Sequence, residues 1–542
     1  MKIIPAWSKT YFIAITLILS GLSVFLHVWK IGEIPPGFYW DECSVSYNAY
    51  CLAETGKDEQ GRPFPLFCSA FSYYADPVTV YSLVPVVKIF GLSTTASRNV
   101  SAFYILFASV LLFFLSRNLV RNKWIALCTA FLFSIIPWIF PASRTIIGGY
   151  APMLLWIIAG IYFLLRAVGG NNWKYAVLAG FSWSMVMYSY SCGRPFSAIA
   201  MIVFVLAFNH LLVKRIRTFA VFIISYFCSS IPLIVAVIHN PGVIMNRFYD
   251  LGISGGGVPF HEVITGVLVR YVEYFSPSFL FIQGDLILRH GTGNSGVLYV
   301  FMIPFVLAGL YVMVKYFRNN PAYRFLFLLL LCYPVAGIFT NAHNHAPRTM
   351  DGAPLWCLVA SVGMMYAWRK RKKCLTVIVA LTLLAGYEIS IYFNYYFGEY
   401  RVESRRDFDA SINEMLDYVF NAADRDTETV YFSKEVLAST GDDFKPIWYV
   451  SILFWGKIDP SAYLKAGRIP EDIAMIFNGE IKKPGILVRL DYFPVVDRAA
   501  GTLAWEQNKE LLPAGNTLIR KMQTYSGANF EIYRVSPLGK TE

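Results

Sequence analysis

The stretch YFIAITLILSGLSVFLHVWKIGEIPPGFYWDECSVSYNAYCLAETG (11–56) joins an apolar run to a proline-rich turn and an acidic pair. The run from Tyr11 to Val28 holds no Asp, Glu, Lys or Arg. It has about the 18–20 residues that a helix needs to cross a hydrocarbon core of about 30 Å. No small-residue cleavage site follows it and further apolar runs do, so it reads as a retained anchor rather than a signal peptide. Similar runs lie near 99–116, 123–140, 149–165, 174–190, 196–213, 218–238, 296–314, 325–340, 351–368 and 374–393. The expectation is an α-helical polytopic membrane protein with about eleven transmembrane helices.

Composition agrees. Residues of the AVILMFWYC set make up 56% of the 542 residues and charged residues only 15%, with a mean hydropathy of +0.48. A soluble domain carries about 25% charged residues. The net charge of +12 does not point to nucleic acid, because its distribution follows the spans. Lys2 and Lys9, Arg117, Arg121 and Lys123, Arg166 and Lys174, Lys214 to Arg217, Lys315, Arg318 and Arg324, and Arg369 to Lys373 all fall on one side. That side is expected to be cytoplasmic. An odd number of spans then leaves the N-terminus inside and the C-terminal part outside, in a plasma membrane.

Two outer loops exceed a simple connector. The first, about 29–98, contains WDECSVSYNAYCLAET, a short helix closed by Gly56 as a C-terminal cap. Asp76-Pro77 then starts a second helix running to about Phe90. The other loop, 239–294, opens with ISGGG (253–257), a linker without the features of a phosphate loop. Phe260, Val263, Ile264, Val267, Leu268, Tyr271 and Phe275 follow at helical spacing, which predicts an amphipathic helix at the bilayer surface.

The division expected is a membrane domain over 1–397 and a small α/β outer domain over 398–542. In the latter, Phe408 to Ala422 reads as a helix with Ile412, Met415, Leu416 and Val419 on one face. ETVYFS (428–433), PGILVRLDYF (484–493) and FEIYRVS (530–536) read as strands, and Thr440 to Asp443 as a turn.

Nine cysteines show no metal-ligand spacing. Cys68 with Cys43 or Cys51 is either a disulfide pair outside the membrane or a set of free buried thiols.

The residues that carry chemistry gather at the outer ends of spans. Asp41-Glu42, beside Phe38, Tyr39 and Trp40, could remove a proton from an acceptor hydroxyl. The competing reading is that Asp41 caps the helix that follows. Asp76 carries the same ambiguity. Arg144, Arg194, Arg289 with His290, and Arg348 with His343 and His345 form a cationic set suited to an anionic head group such as a phosphate. Snorkelling to ordinary lipid phosphates is the alternative. His343, His345 and Asp351 make a weak metal pattern; no metal ligand and no required cofactor is assigned, although a divalent ion is compatible with the chain.

At these residues the chain resembles the polyprenyl-phosphate-sugar-dependent glycosyltransferases of the GT-C fold, in the bacterial branch related to protein O-mannosyltransferases and lipid A aminoarabinose transferases. The resemblance rests on PPGFYWDE (35–42), ADPVTVYSLVPVVKIFG (75–91), PWIFPASR (137–144), YSYSCGRPF (188–196), FSPSFLFIQGDLILRH (275–290) and HAPRTMDGAP (345–354). It covers about residues 10–395. It implies a polyprenyl-phosphate-linked sugar donor and inversion by direct attack of a glycan, lipid or protein acceptor hydroxyl. It further implies Asp41 as general base and Glu42 in support, with Arg144, Arg194 and Arg348 on the leaving phosphate. Two departures bear on donor binding. Ala75-Asp76-Pro77 stands where the aminoarabinose transferases carry an acidic-Lys-Pro triplet, and Thr145 to Gly149 holds no acidic residue after Arg144. Rival readings are a transporter or lipid flippase, or an inactive scaffold. A transporter places ionisable residues within its spans, whereas here the spans are nearly free of charge and Asp41 and Arg348 are expected to face one outer cavity.

Overall fold

A computed structural model describes residues 6–70, 73–243, 260–433, 436, 448–471, 473–476, 481, 483–497, 502–507, 516–524 and 528–537. The ISGGG stretch and the turn at 440–443 lie outside them. The chain forms two compact units: 1–35 with 73–82 and 95–402, and 36–72 with 83–94 and 403–542.

The first unit is helical. Ala6–Val28, Thr94–Val120, Lys123–Ile135, Tyr150–Gly170, Trp173–Ser189, Gly193–Leu212, Ile216–His239, Ile303–Lys315, Pro321–Cys332, Gly352–Arg369 and Arg371–Phe397 each fall on one of the expected apolar runs. Among the described residues, six stretches are long and apolar enough to cross a membrane, among them 193–239, which holds two of these helices joined at Val213–Arg215.

Local chemistry explains the helical hairpins. Asn122, Asn172 and Asn320 each cap a helix start, their Oδ1 atoms accepting from Trp124, Lys174 and Ala322 N–H groups at 2.9, 2.9 and 3.0 Å. Pro321 occupies the first turn, where its missing N–H costs nothing. All three caps sit in short loops with basic residues close by in sequence. Between helices, small residues allow close approach. A Cβ on Gly309 would stand 2.0 Å from the Val359 carbonyl oxygen, and one on Gly363 would stand 1.8 Å from that of Phe305. Hydroxyl pairs Ser23–Ser134 (2.9 Å) and Ser116–Ser361 (2.7 Å) add polar contacts within this helical unit.

The amphipathic segment of the second long loop is helical from Phe260–Glu273. Leu268 and Val272 are more than 60% exposed, the apolar face expected of a helix lying at an interface.

The second unit is α/β. Its sheet has five strands in the order Ala474–Ile476, Thr429–Phe432, Gly485–Leu490, Asn529–Val535, Thr517–Gln523. The first two pairings are parallel and the last two antiparallel. Helix Ala410–Ala422 presses Met415, Leu416 and Val419 onto Val430, Phe432, Ile486, Val488 and Ile532. Alternation places Tyr431, Leu487 and Tyr533 on the opposite face. The run read as one strand over 484–493 is two. Strand Gly485–Leu490 stops at Asp491, whose carboxylate accepts from the Asn529 N–H at 2.6 Å and Nδ2 at 2.7 Å. Tyr492–Asp497 then pairs separately with Thr502–Gln507.

One break between the two units falls after Val402. The first outer loop differs from expectation: 36–72 and 83–94 belong to the same compact unit as the tail. The packing gives the reason. Phe38 and Phe454 rings lie 4.6 Å apart. Asn413 Nδ2 donates to the Phe38 carbonyl at 3.1 Å, and Tyr47 Oη to that of Ile458 at 3.0 Å. A Cβ on Gly37 would stand 2.2 Å from the Phe408 carbonyl oxygen. Cys43, Cys51 and Cys68 are buried and outside any disulfide.

Candidate functional site

The acidic pair opens helix Trp40–Thr55. Asp41 is not the N-cap. The cap position is Tyr39, and Glu42 in the first turn reaches back so that its Oε2 accepts from the Tyr39 N–H at 3.1 Å. This is half of a capping box. Glu42 is fully buried, while Asp41 is half-buried in the first turn. Both acids favour the helix dipole there. At the other end Gly56 takes φ 68°, and its N–H reaches the Leu52 carbonyl. A left-handed residue of this kind is cheapest as glycine.

Behind this helix lies a buried carboxyl that the sequence reading passed over. Glu59 accepts from Asn48 Nδ2 at 2.9 Å and from Tyr449 Oη at 2.5 Å. Burial pushes its pKa up to about 7, with the Tyr449 and Asn48 bonds pulling the other way. Asp58 beside it is closed by Arg62, whose Nε lies 2.9 Å from Oδ2.

In the membrane unit the cationic set separates into three roles. Arg144 is fully buried. Its Nε and Nη2 donate to the Ile34 carbonyl at 3.2 and 2.9 Å, and Nη2 also to that of Trp29 at 2.7 Å. Nη1 donates to the carbonyls of Leu26 and His27 at 2.6 and 2.9 Å. A guanidinium has five N–H donors, and all are used here on the end of the first helix and the turn beyond it. The phosphate role expected from its position at a span end is corrected to that of a helix C-cap and a clamp on 29–34. Arg98, missed by sequence, continues the clamp: it is fully buried and its Nη1 donates to the carbonyls of Ile31 and Pro35 at 3.2 and 2.7 Å.

Arg194 and Asp76 form a pair. Nη2 lies 3.4 Å from Asp76 Oδ1, with both side chains nearly buried. Asp76 immediately precedes helix Pro77–Phe90, as the Asp-Pro signal predicts. Arg194 also donates to the Met187 carbonyl at 3.3 Å.

The remaining residues converge. His290 and His345 are distant in sequence, yet their ring centroids lie 4.3 Å apart. Asp285, which nothing in the sequence marks beyond its place in FSPSFLFIQGDLILRH (275–290), joins them. Asp285 Oδ2 contacts His290 Nδ1 at 2.9 Å and accepts from the Ala346 N–H at 2.8 Å. Oδ1 accepts from the Ile287 N–H at 2.9 Å. Gly284 before it takes φ 65°, and the turn presents the carboxylate inward. Arg348 belongs to the same 3-10 turn as these contacts, Ala346–Thr349, and its N–H donates to the His345 carbonyl at 3.2 Å. Tyr274 closes the group, its Oη accepting from the His345 N–H at 3.3 Å. Burial pushes the Tyr274 phenol above its usual range, opposed by that bond and by the charge of Arg348. Arg289 adjoins His290 and is half-buried. His343 does not join them. It is 58% exposed and sits 2.9 Å from Glu273. The donor set for a cation among the described residues is therefore Asp285, His290 and His345, not His343, His345 and Asp351.

Residues 75–235 match the family model described as dolichyl-phosphate-mannose-protein mannosyltransferase. No curated protein matches by sequence. Among solved structures, ArnT from Cupriavidus metallidurans bound to undecaprenyl phosphate aligns over 98% of this chain and 99% of its own, at 10% identity and a TM-score of 0.56. The same protein in the apo state aligns over 89% and 93%, at 11% identity and a TM-score of 0.52. The Archaeoglobus fulgidus oligosaccharyltransferase tethered to an acceptor peptide aligns over 94% of this chain and 75% of its own, at 13% identity and a TM-score of 0.50. The chain has the GT-C fold that these proteins share.

Proposed function

We propose that the chain is a membrane glycosyltransferase. In this reading it moves a monosaccharide from a polyprenyl-phosphate donor to an acceptor hydroxyl on the extracytoplasmic face of a bacterial plasma membrane. The observation that carries it is the GT-C fold shared over nearly the whole chain with ArnT, whose structure holds undecaprenyl phosphate. The residues support the same chemistry. Asp41 is a half-buried carboxylate held by a capped helix, suited to take the acceptor proton. Arg348 stands beside His345, a cationic place where charge on a leaving phosphate would be stabilised. The sugar carbon is attacked from the side opposite the phosphate, so its configuration inverts. Arg144 and Glu42 hold backbone in this scheme and touch neither substrate.

Mass spectrometry of lipid copurifying with the protein tests the donor. A polyprenyl-phosphate sugar is expected. A purified chain that carries only bulk lipid, and neither binds nor consumes an added polyprenyl-phosphate sugar, refutes the reading.

A further inference from the structure

We propose that Asp285, His290 and His345 hold a divalent transition-metal ion of the zinc or manganese class, next to Arg348. The three side chains each offer one ligand atom, and these atoms all lie within 4.8 Å of one another. In a tetrahedral site with metal–ligand bonds of about 2.0–2.1 Å, neighbouring ligand atoms stand about 3.3 Å apart. The 2.9 Å between His290 Nδ1 and Asp285 Oδ2 is already that edge to within a few tenths of an ångström. The two imidazole rings approach at 4.3 Å and 42°. Two histidines and one carboxylate form a donor set that suits such ions and leaves positions open.

Charge supplies a second argument. The Asp285 side chain is 3% exposed. Among the described residues His290 is its only ion-pair partner, and its other partners are the neutral N–H groups of Ile287 and Ala346. Buried carboxylates are paired or bind metal. Those two N–H bonds fix the carboxylate in place, which is how an outer shell prepares a ligand. They also tie the loop at 285–290 to the turn that carries His345 and Arg348.

A bound ion would bring two positive charges to that turn. Resting on the function proposed above, its open position would take a phosphoryl oxygen of the donor, Arg348 taking another. Binding of the ion itself does not depend on that function.

The test uses the full chain in detergent, stripped with chelator, equilibrated with Zn²⁺ or Mn²⁺ and desalted. Metal content is read by elemental mass spectrometry and affinity by calorimetry. About one ion per chain is expected in the wild type. Asp285→Asn, His290→Gln and His345→Gln should each bind at least about 100-fold more weakly. His343→Gln, which alters the exposed histidine on Glu273, should bind as the wild type does. Gel filtration checks each variant's fold. Should the three ligand variants not fold, the visible absorption of the Co²⁺-loaded wild type decides. Intense bands mark a low-coordinate protein site, and weak bands a hydrated ion. Metal well below one ion per chain, uptake unchanged in the three variants, or only weak Co²⁺ bands would overturn the site. A chain that binds no metal yet transfers sugar removes this proposal and leaves the function standing. Metal binding without transfer does the reverse.

Discussion

Arg144→Met separates two readings of one residue. Sequence position made Arg144 a phosphate ligand, whereas its geometry makes it a cap. Its five N–H groups serve the carbonyls of Leu26, His27, Trp29 and Ile34. Methionine keeps much of the volume and removes every donor. Each buried acceptor left unsatisfied costs about 1–3 kcal/mol. The carbonyls are near neighbours and relax together, so these costs do not add. A net loss of about 3 kcal/mol is expected, the upper end for hydrogen bonds made by a charged group. The assay is the thermal midpoint in detergent with tryptophan fluorescence as readout, and a fall of about 5 °C or more is expected. Arg144→Lys, with three donors and no fork, should fall in between. A phosphate ligand behaves otherwise: Arg144→Met would leave the midpoint in place and weaken polyprenyl-phosphate binding about 10-fold or more. That outcome would refute the capping assignment.

Three further changes test other parts of the structure. Asp41→Asn should lower turnover by about 10²-fold or more with an unchanged thermal midpoint, the scale of general-base loss; a nearly silent variant removes Asp41 from the chemistry. Arg348→Ala should raise KM for the donor and lower kcat together, because a phosphate contact acts in the ground state and strengthens as the phosphate leaves. Glu59 has a folded pKa of about 7 against an ordinary value of 4.5. The folded state therefore holds its proton more tightly, and the stability this contributes is complete below about pH 4.5 and is lost as pH rises through 7. The change is about 3 kcal/mol. Denaturant unfolding of the wild type should show this decline and Glu59→Gln should not; parallel pH profiles for the two would contradict the burial argument.

Much of the chain was legible because its signals are local. Helix Trp40–Thr55 with Gly56 behind it, helix Pro77–Phe90 after Asp76, and Met415, Leu416 and Val419 in the α/β core all follow from caps and periodicity. The sequence put His290 and His345 in one cationic set, next to Arg289 and near Arg348, but did not show that their rings meet. What escaped is non-local. An arginine at a span end looks the same in sequence whether carbonyls or phosphates receive it, so Arg144 was assigned to the wrong partner. Asp285 was one acid in an apolar run, and its meaning appears only when Ala346 and His290 close on it. The break at Asp491 depends on Asn529, a residue with no mark of its own.

The most consequential non-local feature is the membership of the acidic helix. Phe38, three residues before Asp41, packs on Phe454 and gives its carbonyl to Asn413. Asn413 in turn accepts from Trp455 Nε1 at 2.7 Å. Tyr47, on the same helix as Asp41, donates to the Ile458 carbonyl. The tail therefore fixes the residue proposed to meet the acceptor. The residues proposed to meet the donor phosphate are fixed otherwise, by the backbone bonds of Asp285 within the membrane unit. Under the proposed function, the two sides of the transfer answer to different parts of the sequence. A change in the tail can alter which hydroxyl is presented while leaving the phosphate contacts intact. That division gives the tail, which meets the acidic segment through Asn413, Phe454 and Ile458, a physical reason to be part of the proposed enzyme.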